Sequence, residues 1–305
     1  MLRRIVEITG EGKRLTLDRG FLAISSAEGL LGSVPLDDIE AVIAASPALS
    51  YSGQVIDALA QRGAPLVICS NRYKPSVWML PIDGHHAQGQ RFEAQAASAL
   101  PLRKRLWSQV VAAKIEAQAQ TLEQLSQASA PLRRMKLEIK SGDPGNVEAR
   151  AAQYYFPVMF GTDFRRNRDH DGANALLNYG YTILRAATAR AIVAAGLHPS
   201  LGIFHKSRGD AFRLADDLME PFRPTVDIVV LGLLQADQSE LNTDAKKALV
   251  RVLQLDFETA EGRTPLSNCL ARFAASLAQA YLGERKTLQL PSRLVPLADK
   301  QGDDE

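Results

Sequence analysis

Cysteine is nearly absent from this 305-residue chain: Cys69 and Cys269 stand alone, in no CxxC or Cys/His spacing. That excludes a disulfide framework and leaves no pattern for a structural zinc site. Long apolar runs are missing as well. The longest, residues 226–234, is broken by Asp227 and falls well short of the roughly 20 residues of a membrane-spanning helix. Arg3, Arg4 and Glu7 put charge too early for a secretory leader, so a cytoplasmic protein without membrane partners is expected. The chain also lacks an excess of either charge sign, with 36 Lys and Arg against 34 Asp and Glu. Taken alone, that balance argues against a strongly basic nucleic-acid binder and against an acidic disordered chain.

What is present fits a folded protein of about two domains. Residues 4–9 and 14–19 alternate apolar and polar side chains, residues 21–25 follow Gly20, and residues 39–44 and 65–69 are short and β-branched. These read as strands. Between them, residues 52–61 place Val55, Ile56, Leu59 and Ala60 on one helical face, with Gly63 as the stop. Beyond Gly84 the character changes. Residues 103–126, 146–160, 172–195, 211–219, 243–255 and 265–282 carry helical spacing, with Asp171 and Thr243 as N-caps and Gly196 and Gly283 as stops. The expected fold is α+β by segregation. A small β-rich N-terminal domain (1–82) precedes a linker or hinge (83–90) and a larger all-α domain (91–305) with a frayed acidic tail.

Three segments of the helical part hold residues that could do chemistry. Glu148 shares a helical face with Ala152 and Tyr155, an odd place for a carboxylate unless it points into a cleft. His205 ends the short apolar stretch Gly202-Ile203-Phe204. Asp217 and Glu220, three residues apart, project from one face just before Pro221 and Pro224, and repel unless a cation such as Arg213 lies between them. Each has a plain alternative: a solvated Glu, a hydrogen-bonded structural His, an acidic surface helix paired with Arg223. Together they form an oxygen-rich donor set with one imidazole, which suits Mg2+ or Mn2+ and metal-assisted phosphoryl transfer. Basic residues cluster nearby, at Arg103 and Arg105, Arg133 and Arg134, Arg165 and Arg166, and Lys206 and Arg208. Either these are solvated helix ends or they form a phosphate-binding surface, and their placement around the acids favours the surface.

The stretch Asp171-Gly172-Ala173-Asn174-Ala175-Leu176-Leu177-Asn178-Tyr179-Gly180-Tyr181 resembles the signature helix of the CRISPR-associated adaptation integrases, the "Cas one" family. Asn146-Val147-Glu148-Ala149, Gly202-Ile203-Phe204-His205 and Asp217-Leu218-Met219-Glu220-Pro221-Phe222-Arg223-Pro224 match its three metal-site motifs in order. Val34–Ile39 and Arg103-Lys104-Arg105-Leu106-Trp107 resemble most the form found beside the type II RNA-guided nuclease. The resemblance implies a divalent-metal DNA endonuclease and integrase with a dimerising N-terminal domain and a helical catalytic domain. It implies Glu148, His205 and Glu220 as ligands of Mg2+ or Mn2+, with Asp217 as a further ligand or a carboxylate behind them. The implied partners are a second copy of the chain, the small adaptation protein "Cas two" bridging two dimers, double-stranded DNA as spacer and repeat, and the type II effector nuclease. Glu220 stands where many relatives carry Asp.

Overall fold

The computed structural model describes residues 4–46, 48–69, 75–81, 84–167, 171–205 and 211–296. Its first third is built of strands. β1 (Arg4–Ile8), β2 (Arg14–Asp18), β3 (Phe21–Ser26), β4 (Gly29–Pro35), β5 (Ile39–Ala44) and β6 (Ser50–Tyr51) come before helix α1 (Gly53–Gln61), which is followed by β7 (Leu66–Cys69) and β8 (Pro75–Met79). The Ser52 hydroxyl caps α1 by accepting from the Val55 N–H, and Gly63 ends the turn beyond it at φ 64°. The strands form two four-stranded sheets, ordered β1-β5-β7-β8 and β4-β3-β2-β6. β4 escapes the alternation rule because two glycines and a terminal proline interrupt it, which an edge strand tolerates.

Strands β1, β5 and β7 run parallel, and all six residues of β5 are buried. Parallel strands covered on both faces read as continuous apolar runs, as Ile39–Ala44 does. One face packs Ile8, Val42, Ala44 and Leu66 against α1 and the second sheet. The other turns Ile5, Ala41, Ile43, Val67 and Cys69 into the core of the helical part.

That part comprises α2 (Gln88–Ala96), α3 (Leu100–Gln124), α4 (Ala130–Leu137), α5 (Val147–Phe160), α6 (Ala173–Ala194), α7 (Arg213–Met219), α8 (Arg223–Gln235), α9 (Thr243–Val250) and α10 (Leu266–Tyr281). It also carries a small sheet of β9 (Asp256–Thr259), β10 (Gly262–Pro265) and β11 (Arg293–Leu294), so the section is predominantly rather than wholly helical. Residues 256–265 form a hairpin turning at Gly262 (φ 100°), too short to show a strand period among helices. Gly172 rather than Asp171 precedes α6, and Asn242 rather than Thr243 caps α9, accepting from the N–H of Asp244 and Ala245. Helix α2 begins within the expected linker. There Gly84 N–H donates to Gln88 (2.9 Å), and Arg91 donates to the Ala195 carbonyl (2.9 Å) at the end of α6.

Helix α6 is the central element, packed by α7, α8, α9, α10 and β5. A Cβ on Gly180 would lie 2.4 Å from Val226, so only glycine allows α8 to approach this closely. The β-rich part is tied to the helices by polar contacts as well. Glu7 accepts from Tyr179 (2.6 Å) and Lys246 (3.0 Å), and Glu40 pairs with Arg190 (3.4 Å). A row of glutamines on α3 fastens the C-terminal segment. Gln109, Gln120 and Gln124 donate to the carbonyls of Lys286, Ser292 and Leu294. No helix among the described residues is long and apolar enough to cross a membrane, and both cysteines are buried and unbridged.

Candidate active site

Glu148 is the second residue of α5 and is fixed by a residue that sequence patterning did not single out. Asp143 accepts from the N–H groups of Val147 (2.9 Å) and Glu148 (3.0 Å), one to each carboxylate oxygen. It thereby satisfies two of the orphan donors of the first helical turn. The signal was the turn-forming run Gly142-Asp143-Pro144-Gly145-Asn146, in which Asp143 and Asn146 both adopt positive φ.

His205 sits at the end of an irregular stretch wrapped around Asp217 of α7. Asp217 is fully buried and accepts from the N–H groups of Ile203 (2.6 Å), Phe204 (3.1 Å) and His205 (3.2 Å). Its Oδ1 also lies 2.6 Å from His205 Nδ1. This hydrogen bond raises the His205 pKa above its ordinary value, against the opposing effect of burial. Gly202 leaves room for the wrap, since a Cβ there would stand 2.9 Å from Asp217 Oδ2 and 3.0 Å from the His205 carbonyl oxygen. Phe204 stacks flat on Trp107 of α3, with centroids 4.4 Å apart and planes 2° from parallel, while Trp107 meets the His205 ring edge-on at 5.8 Å.

Glu220 opens a single 3-10 turn between α7 and α8, where Pro221 breaks one helix and Pro224 starts the next. The cations against it are Arg223, whose Nε lies 2.9 Å from Oε1, and Lys114 of α3, paired with Oε2. Burial pushes the Glu220 carboxyl up, but Arg223 and Lys114 outweigh it and hold the pKa down to about 2. Lys114 pairs at the same time with Glu148 Oε1, donating a hydrogen bond. Burial lowers the lysine pKa, yet the two carboxylates raise it above the ordinary value, so it carries charge here. Lys114 was missed in the sequence. Its signal is a lysine within the buried stripe Val110, Val111, Ile115 and Gln118 of α3.

Among the described residues, no three His, Cys, Asp or Glu side chains are grouped closely enough to hold a metal ion. The Lys114 ammonium stands between Glu148 and Glu220 instead. The donor set still fits a hard divalent ion. Glu220 Oε2 is buried and turned toward Glu148, with a mobile ammonium rather than a fixed backbone donor against it, and the engaged Nδ1 of His205 leaves Nε2 for a ligand.

The basic residues diverge. Arg105 and Arg134 are exposed, and Arg133 is exposed but paired with Glu123 (2.7 Å). Arg103 is half-buried, with its Nε lacking a hydrogen-bond partner among the described residues. Arg165 donates to the Thr162 and Phe164 carbonyls of its own loop. Arg166 turns inward to Asn174 (2.8 Å) and Asn178 (2.7 Å) of α6. Lys206 and Arg208 lie outside the described residues.

The family model for CRISPR associated protein Cas1 matches residues 6–254. The chain belongs to this family. It is 35% identical over 296 residues to the CRISPR-associated endonuclease Cas1 of Neisseria meningitidis serogroup C, covering 95% of this chain and 96% of that one. To the CRISPR-associated endonuclease Cas1 2 of Pyrobaculum aerophilum it is 29% identical, over 90% of this chain and 98% of the relative. Its fold is shared with a casposase bound to integration product (TM-score 0.80, 20% identity, 99% and 96% covered). It is shared also with a Cas1 protein from Thermotoga maritima (TM-score 0.73, 18% identity, 92% and 98% covered). The Cas1 fold thus accounts for the segregated sheets and helices, and the motifs read from the sequence lie on helices α5 to α8 or in the segments beside them.

Proposed function

We propose that this Cas1-family chain is a metal-dependent DNA integrase and endonuclease of CRISPR adaptation, inserting short foreign DNA into an array. The observation that carries the reading is Lys114's bridge between Glu148 and Glu220, which joins segments far apart in sequence, with His205 electrostatically coupled to Glu220. Glu148, Glu220 and His205 Nε2 would hold Mg2+ or Mn2+. The ion, when bound, supplies charge neutralisation for the attacking and leaving oxygens of a phosphodiester. Asp217 acts behind the ligands, keeping the proton of His205 on Nδ1 and the ring fixed. Asp143 does the same for the backbone of Glu148. In the joining step the incoming 3′-hydroxyl oxygen bonds to phosphorus as the bond to the departing 3′ oxygen breaks. The attacking hydroxyl gives up its proton, and the departing oxygen acquires one. One phosphodiester replaces another, so no nucleotide cofactor is consumed.

The endonuclease names of the Neisseria and Pyrobaculum relatives support phosphodiester chemistry, and the casposase bound to integration product supports joining. The fold is shared too with a Cas6-RT-Cas1–Cas2 complex (TM-score 0.75) and a TtCas1–DNA complex (TM-score 0.55). These favour the small Cas2 protein and double-stranded DNA as partners here. Residues 1–82 would serve as the dimerising domain, a reading supported by exposed Leu30 and Leu31 on the edge strand β4. Residues 91–305 would form the catalytic domain, since every residue of the site comes from it, with 83–90 between them. The type II effector nuclease is a further proposed partner.

The test is strand transfer into a repeat-bearing plasmid by the purified chain with the small partner, with and without Mn2+. Wild type is expected to yield joined strands only with metal, and Ala at Glu148, His205 or Glu220 to abolish joining. Full integration by Glu148→Ala would sink the assignment. Cut strands without joined ones would mark water as the nucleophile and leave the endonuclease alone.

A further inference from the structure

Lys114 has no part in the joining step as written, yet it occupies the centre of the site. Its ammonium reaches Glu148 on α5 and Glu220 beyond α7, from a side chain only 9% exposed. Without it, the buried Glu220 would keep only Arg223 and the part-exposed Glu148 would face it unpaired, and their repulsion would drive the two apart. We propose that Lys114 is a built-in counter-ion of the site, holding Glu148 and Glu220 together without metal and displaced when a divalent cation binds. The proposal rests on the reading that these acids take a metal.

Charge and mechanics both point this way. Glu148 and Glu220 are matched one for one by Lys114 and Arg223, leaving the Asp217 carboxylate behind His205 as the remaining charge. A divalent ion entering beside those cations outweighs that carboxylate and leaves a positive surplus, which an anionic phosphodiester compensates. Metal binding is therefore weak alone and stronger with DNA present. Helix α3 is fastened to the C-terminal segment by Gln109, Gln120 and Gln124, so the displacement falls to the flexible four-carbon stem of the lysine.

The experiment compares Mn2+ binding by titration calorimetry, and melting in EDTA and in saturating Mn2+, for the full-length wild type, Lys114→Met and Lys114→Arg. Lys114→Met is expected to bind Mn2+ about tenfold or more tightly than wild type, as removal of a like charge a few ångströms away requires. It should also melt lower in EDTA and gain more from Mn2+. Lys114→Arg, which keeps the charge, should bind no tighter than wild type. Equal or weaker binding by Lys114→Met overturns the proposal. Should that variant not fold, lysine acetylation of the wild type followed by mass spectrometry decides. Lys114 should be protected in EDTA and label several-fold faster in Mn2+, whereas unchanged labelling at a concentration that demonstrably binds overturns the proposal. No Mn2+ binding to wild type at all removes the metal site itself, and this inference with it.

Discussion

Replacing Asp217 with Asn preserves the shape of a fully buried side chain while removing one charge and one acceptor oxygen. Oδ2 serves the N–H groups of Ile203 and Phe204, and Oδ1 serves the His205 N–H and ring Nδ1. The new amide has two orientations. With its NH2 toward Ile203 and Phe204, two backbone donors lose their acceptor. With its NH2 toward His205, one backbone donor is stranded and the ring accepts at Nδ1, which moves its proton to Nε2 and blocks the ligating nitrogen. Stranding a buried donor costs about 1–3 kcal/mol, so the cheaper orientation is the one that spoils the histidine. For a chain of this length 1 kcal/mol corresponds to roughly 1.5–2 °C in Tm, giving an expected loss of about 2–6 °C in EDTA. Metal affinity should fall about 10- to 100-fold, the usual effect of losing a carboxylate behind a histidine ligand. Differential scanning fluorimetry and Mn2+ titration measure the two effects separately. A variant melting within about 1 °C of wild type and binding Mn2+ within about twofold would show that Asp217 does not hold the His205 stretch.

Asp227 offers a pH test away from the proposed ligands. Burial raises its carboxyl to about 6, against the hydrogen bond from Tyr181 and the charge of Arg223. The folded state therefore holds this proton more tightly than the unfolded chain, whose ordinary value is 3.8. Its contribution to stability is full below that value and is lost as pH rises through about 6. Asp227→Asn has no such loss, so its stability relative to wild type should improve by up to about 3 kcal/mol between pH 4 and pH 7. Urea melts of both proteins across that range would contradict this if the gap stayed constant. Gly202→Ala should cost about 1–3 kcal/mol by forcing a methyl against Asp217 Oδ2, and should impair joining more than folding. Unchanged melting and joining would show that the stretch has room to spare. Neutralising exposed Arg105 or Arg134 should weaken DNA binding and lower its salt slope by about one unit each, measured by fluorescence anisotropy across a salt series. An unaltered slope would place the DNA elsewhere.

Local pattern carried much of the fold. The buried run of β5, the long apolar stripes of α3 and α6, and the stops at Gly63, Gly196 and Gly283 are visible in the sequence because each depends on neighbours a few residues away. Helix α8 was hidden because Pro221 and Pro224 read as terminators, whereas Pro224 also starts the helix after them. Helix α4, only eight residues long and mostly charged or exposed, offers little periodicity. In the site, Glu148, His205 and Glu220 stood out as carboxylates and an imidazole in unexpected places. Lys114 and Asp143 did not, because their meaning lies in partners. Lys114 is defined by contacts 34 and 106 positions further along the chain, and an aspartate in a turn looks the same whether or not it caps a helix.

The near-zero net charge takes on a different sense once partners are known. Acids gathered for a metal and bases gathered for phosphate would leave two surfaces of opposite sign. The structure instead neutralises much of the charge internally, and at short range. Glu148 and Glu220 are met by Lys114 and Arg223, Glu123 by Arg133, Glu116 by Lys136, Glu138 by Arg150, and Asp216 by Arg185. Of the clustered basic residues, Arg133 thus answers an acid of the same chain. On the proposed reading, adding a divalent ion to this paired group would create a positive excess, and an anionic backbone would be drawn to the site by the ion together with the protein. A balanced total therefore carries no argument against a nucleic-acid substrate.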